Sequence, residues 1–366
     1  MLCSCSSKHD SIVLEKDYAS IITRDSIEIR IDSSQIKTYG LFSAGITEGG
    51  EHIFSGYNDY NHTLQLFDLS TRKLYKTIEL KKDGPSEISD VSGIYFHNLD
   101  SIFFYNKNKI EISILNTNSL NVEHVNFLDA LTPGKEAWPI NDHNFRLFFH
   151  RNSASILFKN HYRDSYAEDL SLVGVYRLAD DAYHYVDFFH TEPIDHKNQF
   201  GQLNNVCISS PSNRDKVYIN NLYSNITYEL DLNDLIGATV IEDSSVNSTS
   251  KLSNFVNGQS PDRHFVENDV YTELLPLENG YFLRVVWASA TYDDSISNPF
   301  LDKQFVLHLY DKDFNRLYSE FLHNEGILAY GWFVLGNSIY FQINHPAYLH
   351  SKESVLKFNK FTFNID

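Results

Sequence analysis

The residues best suited to chemistry are scattered along this chain. Six of the 16 histidines fall between His143 and His196, and His184-Tyr-Val-Asp-Phe-Phe-His190 would set two of them on one strand face with Val186 and Phe188. A metal centre needs convergent ligands, and there is neither a helical HExxH phrase nor a cysteine–histidine pairing. The closest approach to a nucleophile elbow, Gly258-Gln-Ser-Pro261, lacks the second glycine and has proline where the helix should start. Neither glycine-rich phosphate cradle occurs. Forty-eight acidic residues leave room for a carboxylate pair, but none is singled out. The expectation is therefore no catalytic residue, no metal and no cofactor. The alternative is a hydrolase or lyase using carboxylates.

Binding residues are easier to nominate. Arg284 sits inside the apolar run Tyr281-Phe-Leu-Arg-Val-Val-Trp287, where a long cation must find a partner or reach water. A salt bridge is the first reading and a ligand contact the second. Arg151, Arg263, His264, Trp287 and His345 complete the candidate ligand-binding set.

The elements that must position these residues are strands. Twenty-six Phe and 23 Tyr against one Met favour a pleated sheet, and 42% hydrophobic residues suffice for a large core. The net charge of −18 would repel a phosphate backbone, so nucleic acid is not an expected partner. No stretch approaches the roughly 18 apolar residues of a membrane span. Cys207 is the one cysteine in the body of the chain, which leaves no disulfide framework and reads as a small buried residue.

A repeat underlies the strands. Gly93-Ile-Tyr-Phe96 followed by Asp100-Ser-Ile-Phe-Phe104 matches Gly331-Trp-Phe-Val334 followed by Asn337-Ser-Ile-Tyr-Phe341. Phe67-Asp-Leu-Ser-Thr-Arg-Lys-Leu-Tyr75 matches Tyr310-Asp-Lys-Asp-Phe-Asn-Arg-Leu-Tyr318, each an Asp-led turn inside a hairpin. Joined, the phrases describe four antiparallel strands, clearest over 91–127, where Ile110, Ile112 and Ile114 alternate with Glu111 and Ser113. Four such strands make one propeller blade.

Third strands are expected to begin near Leu64, Ile110, Leu172, Ile226, Phe305 and Val355, giving six blades at irregular spacing. The last unit runs out of chain before its fourth strand, while Ile27, Ile29 and Ile31 alternate near the N-terminus. The expected fold is thus all-β, a six-bladed β-propeller of four-stranded antiparallel blades, with residues 26–32 closing the last blade so that no edge is left bare there. Residues 25–366 are read as one propeller domain. Residues 128–170 and 233–263, rich in turn residues, are read as loop insertions. Candidate mouth residues are Tyr57, Asn58, Asn106, Arg151, Asn152, Asn220, Asn221, Trp287, Asn344 and His345, although asparagine is also simply a good turn residue.

The first residues, Met-Leu-Cys-Ser-Cys5, place Leu2 three positions before Cys5 and a small residue directly before it, the spacing of a bacterial lipoprotein signal. Cys5 is therefore the expected lipidation site, with residues 1–24 as signal remnant and tether. That context, Gly84-Pro85 before a strand, the Gly93–Phe104 phrase and the blade repetition together resemble the six-bladed, loosely TolB-like propeller lipoproteins of Bacteroidetes, in particular one of their domain-of-unknown-function families. The resemblance implies a fold and an envelope location, periplasmic or surface-facing, and brings no catalytic residues. The expectation is a lipid-anchored monomer in the cell envelope. It would touch membrane only through its lipid and bind a protein or glycan-derived partner through one propeller face.

Overall fold

The computed structural model describes residues 22–131, 135–138, 148–150, 154–162, 173–186, 206–209, 216–222, 226–233, 235, 238–242, 261–293, 303–322, 326–343 and 354–365. Aromatic and β-branched runs build six antiparallel sheets, one per blade. Blade 1 contains β2 (Phe42–Ile46), β3 (His52–Asn58), β4 (Thr63–Asp68) and β5 (Lys73–Glu79). Blade 2 contains β6 (Gly93–Asn98), β7 (Ser101–Asn106), β8 (Glu111–Leu115) and β9 (Val122–Asn126). In blade 3, β10 (Lys135–Trp138) and β11 (Phe148–His150) share one edge of β12 (Ser155–Tyr162), followed by β13 (Val173–Arg177) and β14 (Ala182–Val186). Blade 4 contains β15 (Val206–Ser209), β16 (Lys216–Asn221), β17 (Ile226–Asp231) and β18 (Ala238–Glu242).

A short helix, α1 (Pro261–Glu267), leads into blade 5, made of β19 (Val270–Pro276), β20 (Phe282–Trp287), β21 (Phe305–Tyr310) and β22 (Arg316–Leu322). Blade 6 contains β23 (Ile327–Leu335), β24 (Ser338–Ile343) and β25 (Val355–Phe363). Its fourth strand is β1 (Ile22–Arg30), paired antiparallel with β25 from Ile22 opposite Phe363 to Arg30 opposite Val355. The N-terminal strand therefore closes the last blade, as its alternating isoleucines require, and it begins inside the stretch expected as tether. Residues 1–21, with Cys5, lie outside the described residues.

First strands turn inward: β2 lies against β6 and β23, β11 against β6, β15 against β19, and β19 against β23. The blades thus follow one another around a hub in chain order. Gly45 lets β2 and β6 come close, since a Cβ there would collide with the Phe96 ring.

Each seam between neighbouring blades has its own apolar filling. Phe42, Phe54 and Phe67 of blade 1 meet Phe333, Leu356 and Phe358 of blade 6. Ile53 and Leu64 meet Ile94 and Phe104 across the next seam. Phe103 and Tyr105 meet Phe149 and Phe158, and Leu157 and Val175 meet Ile219 and Leu230. The largest cluster joins blades 5 and 6 through Trp287, Phe305, Trp332 and Phe341. Where blade 5 faces blade 4, the described apolar residues form two separate clusters, one joining Tyr218 to Leu274, Phe282 and Tyr310, the other made of Tyr271, Val286 and Val306 of blade 5.

The two expected insertions contain strands instead. Residues 128–170 include β10, β11 and β12, and 233–263 includes β18 and the start of α1. Short polar stretches such as Lys135-Glu-Ala-Trp138 carry little apolar signal. They are held by their backbone ladder to β12, with Ala137 buried.

Candidate functional site

Alternating strand direction brings the ends of first and third strands to one end of the ring and the ends of second and fourth strands to the other. The first end is a face of tight turns. Asp68 Oδ1 accepts the backbone N–H groups of Ser70 at 2.8 Å and Thr71 at 3.2 Å. Asn116 holds Asn118 and Ser119, and Asp311 holds Asp313 and Asn315, in the same way. Arg72, Leu120 and Phe314 close these turns at positive φ of 59°, 59° and 64°. Asp100 in turn accepts the side-chain amides of Asn116 and Asn118. These oxygens are occupied in shaping turns.

The other end is a face of longer connections, including 31–41, 80–92 and 288–304. Here asparagine does double service. Asn106 Oδ1 accepts from the N–H groups of Asn108 at 2.9 Å and Lys109 at 3.1 Å, while its Nδ2 donates to the Ser89 carbonyl at 2.9 Å. Asn58 repeats this with Tyr60, Asn61 and the Ser34 carbonyl. Asn220 donates to the Tyr271 carbonyl, tying blade 4 to blade 5. The recurrent asparagines are thus buried staples between turns and incoming connections. Near them Tyr57 Oη meets His62 Nδ1 at 2.7 Å. Burial holds the His62 imidazole below its usual range and, with Asp59 and Asp90, raises the Tyr57 phenol. Beside this pair Tyr60 projects into solvent, 84% exposed.

On the same face α1 caps the seam between blades 5 and 6. Phe265 and Val266 enter its core, Phe265 standing edge-on to Trp287 with ring centroids 4.9 Å apart. Arg263 points outward and bonds Glu267 Oε1 at 2.9 Å, one helical turn on. Lys303, wholly buried, donates to the carbonyls of Phe265 at 2.5 Å and Asn268 at 2.6 Å, and its Nζ lies 4.6 Å from the Phe265 ring centre. Burial lowers its ammonium to about 7, against an opposing pull from Asp269. A lysine beside the last carbonyls of a helix is a natural cap. Nothing in the sequence around Lys303 marked it as buried.

The nominated residues that are described, Arg263, Arg284 and Trp287, do not form one cluster. Arg284 and Trp287 are odd-numbered steps apart on β20 and so face opposite ways. Trp287 is fully buried toward blade 6, against Tyr330 and Trp332. Arg284, 1% exposed, faces blade 4, where its Nη2 donates to Thr227 Oγ1. Among the described residues no carboxylate pairs with Arg284, and its Nε has no acceptor. Among the described nominated residues Arg263 is the one on the surface. Arg151 and His345 lie outside the described residues, as does the side chain of His264.

The sequence matches a domain of unknown function, DUF4221, over residues 20–318. The chain belongs to the DUF4221 family. A DUF4221 member from Bacteroides vulgatus superposes with a TM-score of 0.70 at 14% identity, covering 93% of this chain and 98% of that one. A putative exported protein from Bacteroides fragilis gives 0.57 at 13% identity, covering 93% and 95%. Among curated proteins none matches the chain.

In this DUF4221 propeller the described first strands contribute two carboxylates, Glu136 and Glu273. The side chain of Glu273 is described, and it is 4% exposed on β19. No group of three or more potential metal ligands occurs among the described residues. No described helix is long and apolar enough to cross a membrane.

Proposed function

We propose that this DUF4221 propeller is a non-catalytic binding module of the bacterial cell envelope that takes a protein or glycan-derived partner on the face of long connections. The carrying observation is the asymmetry between the two ends of the ring. One end uses its polar groups to close minimal turns, while the other presents extended connections stapled onto a rigid scaffold, the usual setting for binding residues. Arg263, exposed on α1 above a packed core, is the residue we place in that contact. The structural neighbour from Bacteroides fragilis named as a putative exported protein supports the envelope assignment, and the Leu2–Cys5 spacing supports lipid anchorage through Cys5.

Pull-down from envelope extracts tests the reading. The intact protein is expected to enrich a defined partner, Arg263→Ala to recover at least about fivefold less, roughly 1 kcal/mol, and the turn-face variant Asp313→Ala to recover it unchanged. Equal loss from Asp313→Ala, or none from Arg263→Ala, would move the contact off this face.

A further inference from the structure

The seam between blades 4 and 5 contains a buried positive charge that forms no ion pair with any described residue, the buried Glu273 of the adjacent strand included. Arg284 projects from β20 between Phe282, in one apolar cluster, and Val286, in the other. It is 1% exposed, and a guanidinium does not lose its proton in proteins. Among the described residues its partner is a neutral hydroxyl, Thr227 Oγ1 on β17 of the neighbouring blade, and its Nε meets no acceptor. His308, directly across the β20–β21 ladder, turns Nδ1 toward Ser319 Oγ at 2.8 Å, and Asn220 Nδ2 is committed to the Tyr271 carbonyl.

Magnitude decides what this arrangement needs. Leaving a charged group buried and uncompensated costs several kcal/mol, more than a neutral hydrogen bond returns. A water at Nε would satisfy one donor and leave the charge. We infer that the seam between blades 4 and 5 binds a small monovalent inorganic anion, of the halide class, on the Arg284 guanidinium beside Thr227. A bare small ion is the occupant we assign because packed apolar side chains flank Arg284 on both sides along β20. The site is internal, so it is separate from partner binding on the face of long connections.

Bromide serves as the probe. A crystal of the intact protein grown in bromide is expected to show an anomalous peak in contact with the guanidinium of Arg284. In solution, the Tm at constant ionic strength should rise as gluconate is replaced by bromide, because an ion that binds the folded state alone stabilises it by mass action. Arg284→Met should abolish that rise and, in gluconate, melt no lower than the intact protein, since replacing a buried charge by a hydrophobe is often neutral or stabilising. Arg284→Lys, which keeps the charge, should retain part of the bromide dependence. The crystal measurement needs no variant to fold. Water alone at the guanidinium, or the same Tm in bromide and gluconate, overturns the inference.

Discussion

The seam between blades 5 and 6 and the seam between blades 4 and 5 share a blade, yet they are filled in opposite ways. On one face of β20, Leu283, Val285 and Trp287 join a continuous cluster with Trp332 and Phe341. On the other face, Phe282 and Val286 are separated by Arg284, and the apolar filling breaks in two. One strand therefore carries both a strong joint and a polar one, two pleats of the same backbone. The apolar joint draws on burial that needs no exact partner, at about 25 cal/mol per Å². The polar joint depends on each group finding its match.

The largest expected effect tests the strong joint. Trp332→Ala should lower unfolding stability by about 3–5 kcal/mol in urea, the range for emptying an aromatic from a close-packed core. Val306→Ala, in the split seam, removes fewer atoms from a smaller cluster and should cost distinctly less. Equal losses would break the contrast between the seams.

A smaller effect sharpens it, through the lysine that fastens α1 over the strong joint. Lys303 is lowered to about 7 by burial. Below pH 7 it is protonated both folded and unfolded, and the full penalty of burying its charge is present. As pH rises above 7 the folded lysine releases its proton while the unfolded one holds it to about 10.4, so the unfolded state binds more protons and stability rises. Between pH 7 and 9 the intact protein should gain up to about 1.4 kcal/mol per pH unit over Lys303→Met. Denaturation midpoints of the two measured at pH 6, 7, 8 and 9 check this, and a constant gap would mean the lysine does not titrate there.

These two joints also show what was legible beforehand. Third strands begin at Thr63, Glu111, Val173, Ile226, Phe305 and Val355, each within one residue of the position read from alternation alone. Alternation is a direct consequence of burying one strand face against a neighbouring blade, so it survives in a single sequence. The first strands of blade 3 were missed because Lys135–Trp138 and Phe148–His150 are too short to alternate and depend on β12 for their pairing. For the site, parity along Phe282–Trp287 already placed Arg284 and Trp287 on opposite faces, a signal present in the numbering that their shared apolar run concealed. Thr227 and Lys303 were not legible at all. What makes them matter is a contact from another blade or another loop, and no local pattern records that.

The smallest effect concerns polar joints elsewhere in the ring. Asn106 and Asn116 both cap turns of blade 2, but Asn106 also reaches the Ser89 carbonyl in the 80–92 connection, whereas Asn116 reaches only the neighbouring Asp100 turn. Asn106→Ala should therefore cost about 1 kcal/mol, the net worth of hydrogen bonds of this kind. It should also speed amide exchange across the described backbone of 80–92. Asn116→Ala should leave exchange in 80–92 as it is. If both variants loosened that connection equally, the asparagine would be a turn residue and nothing more, and the rigidity of the long-connection face would have to come from the apolar seams beneath it.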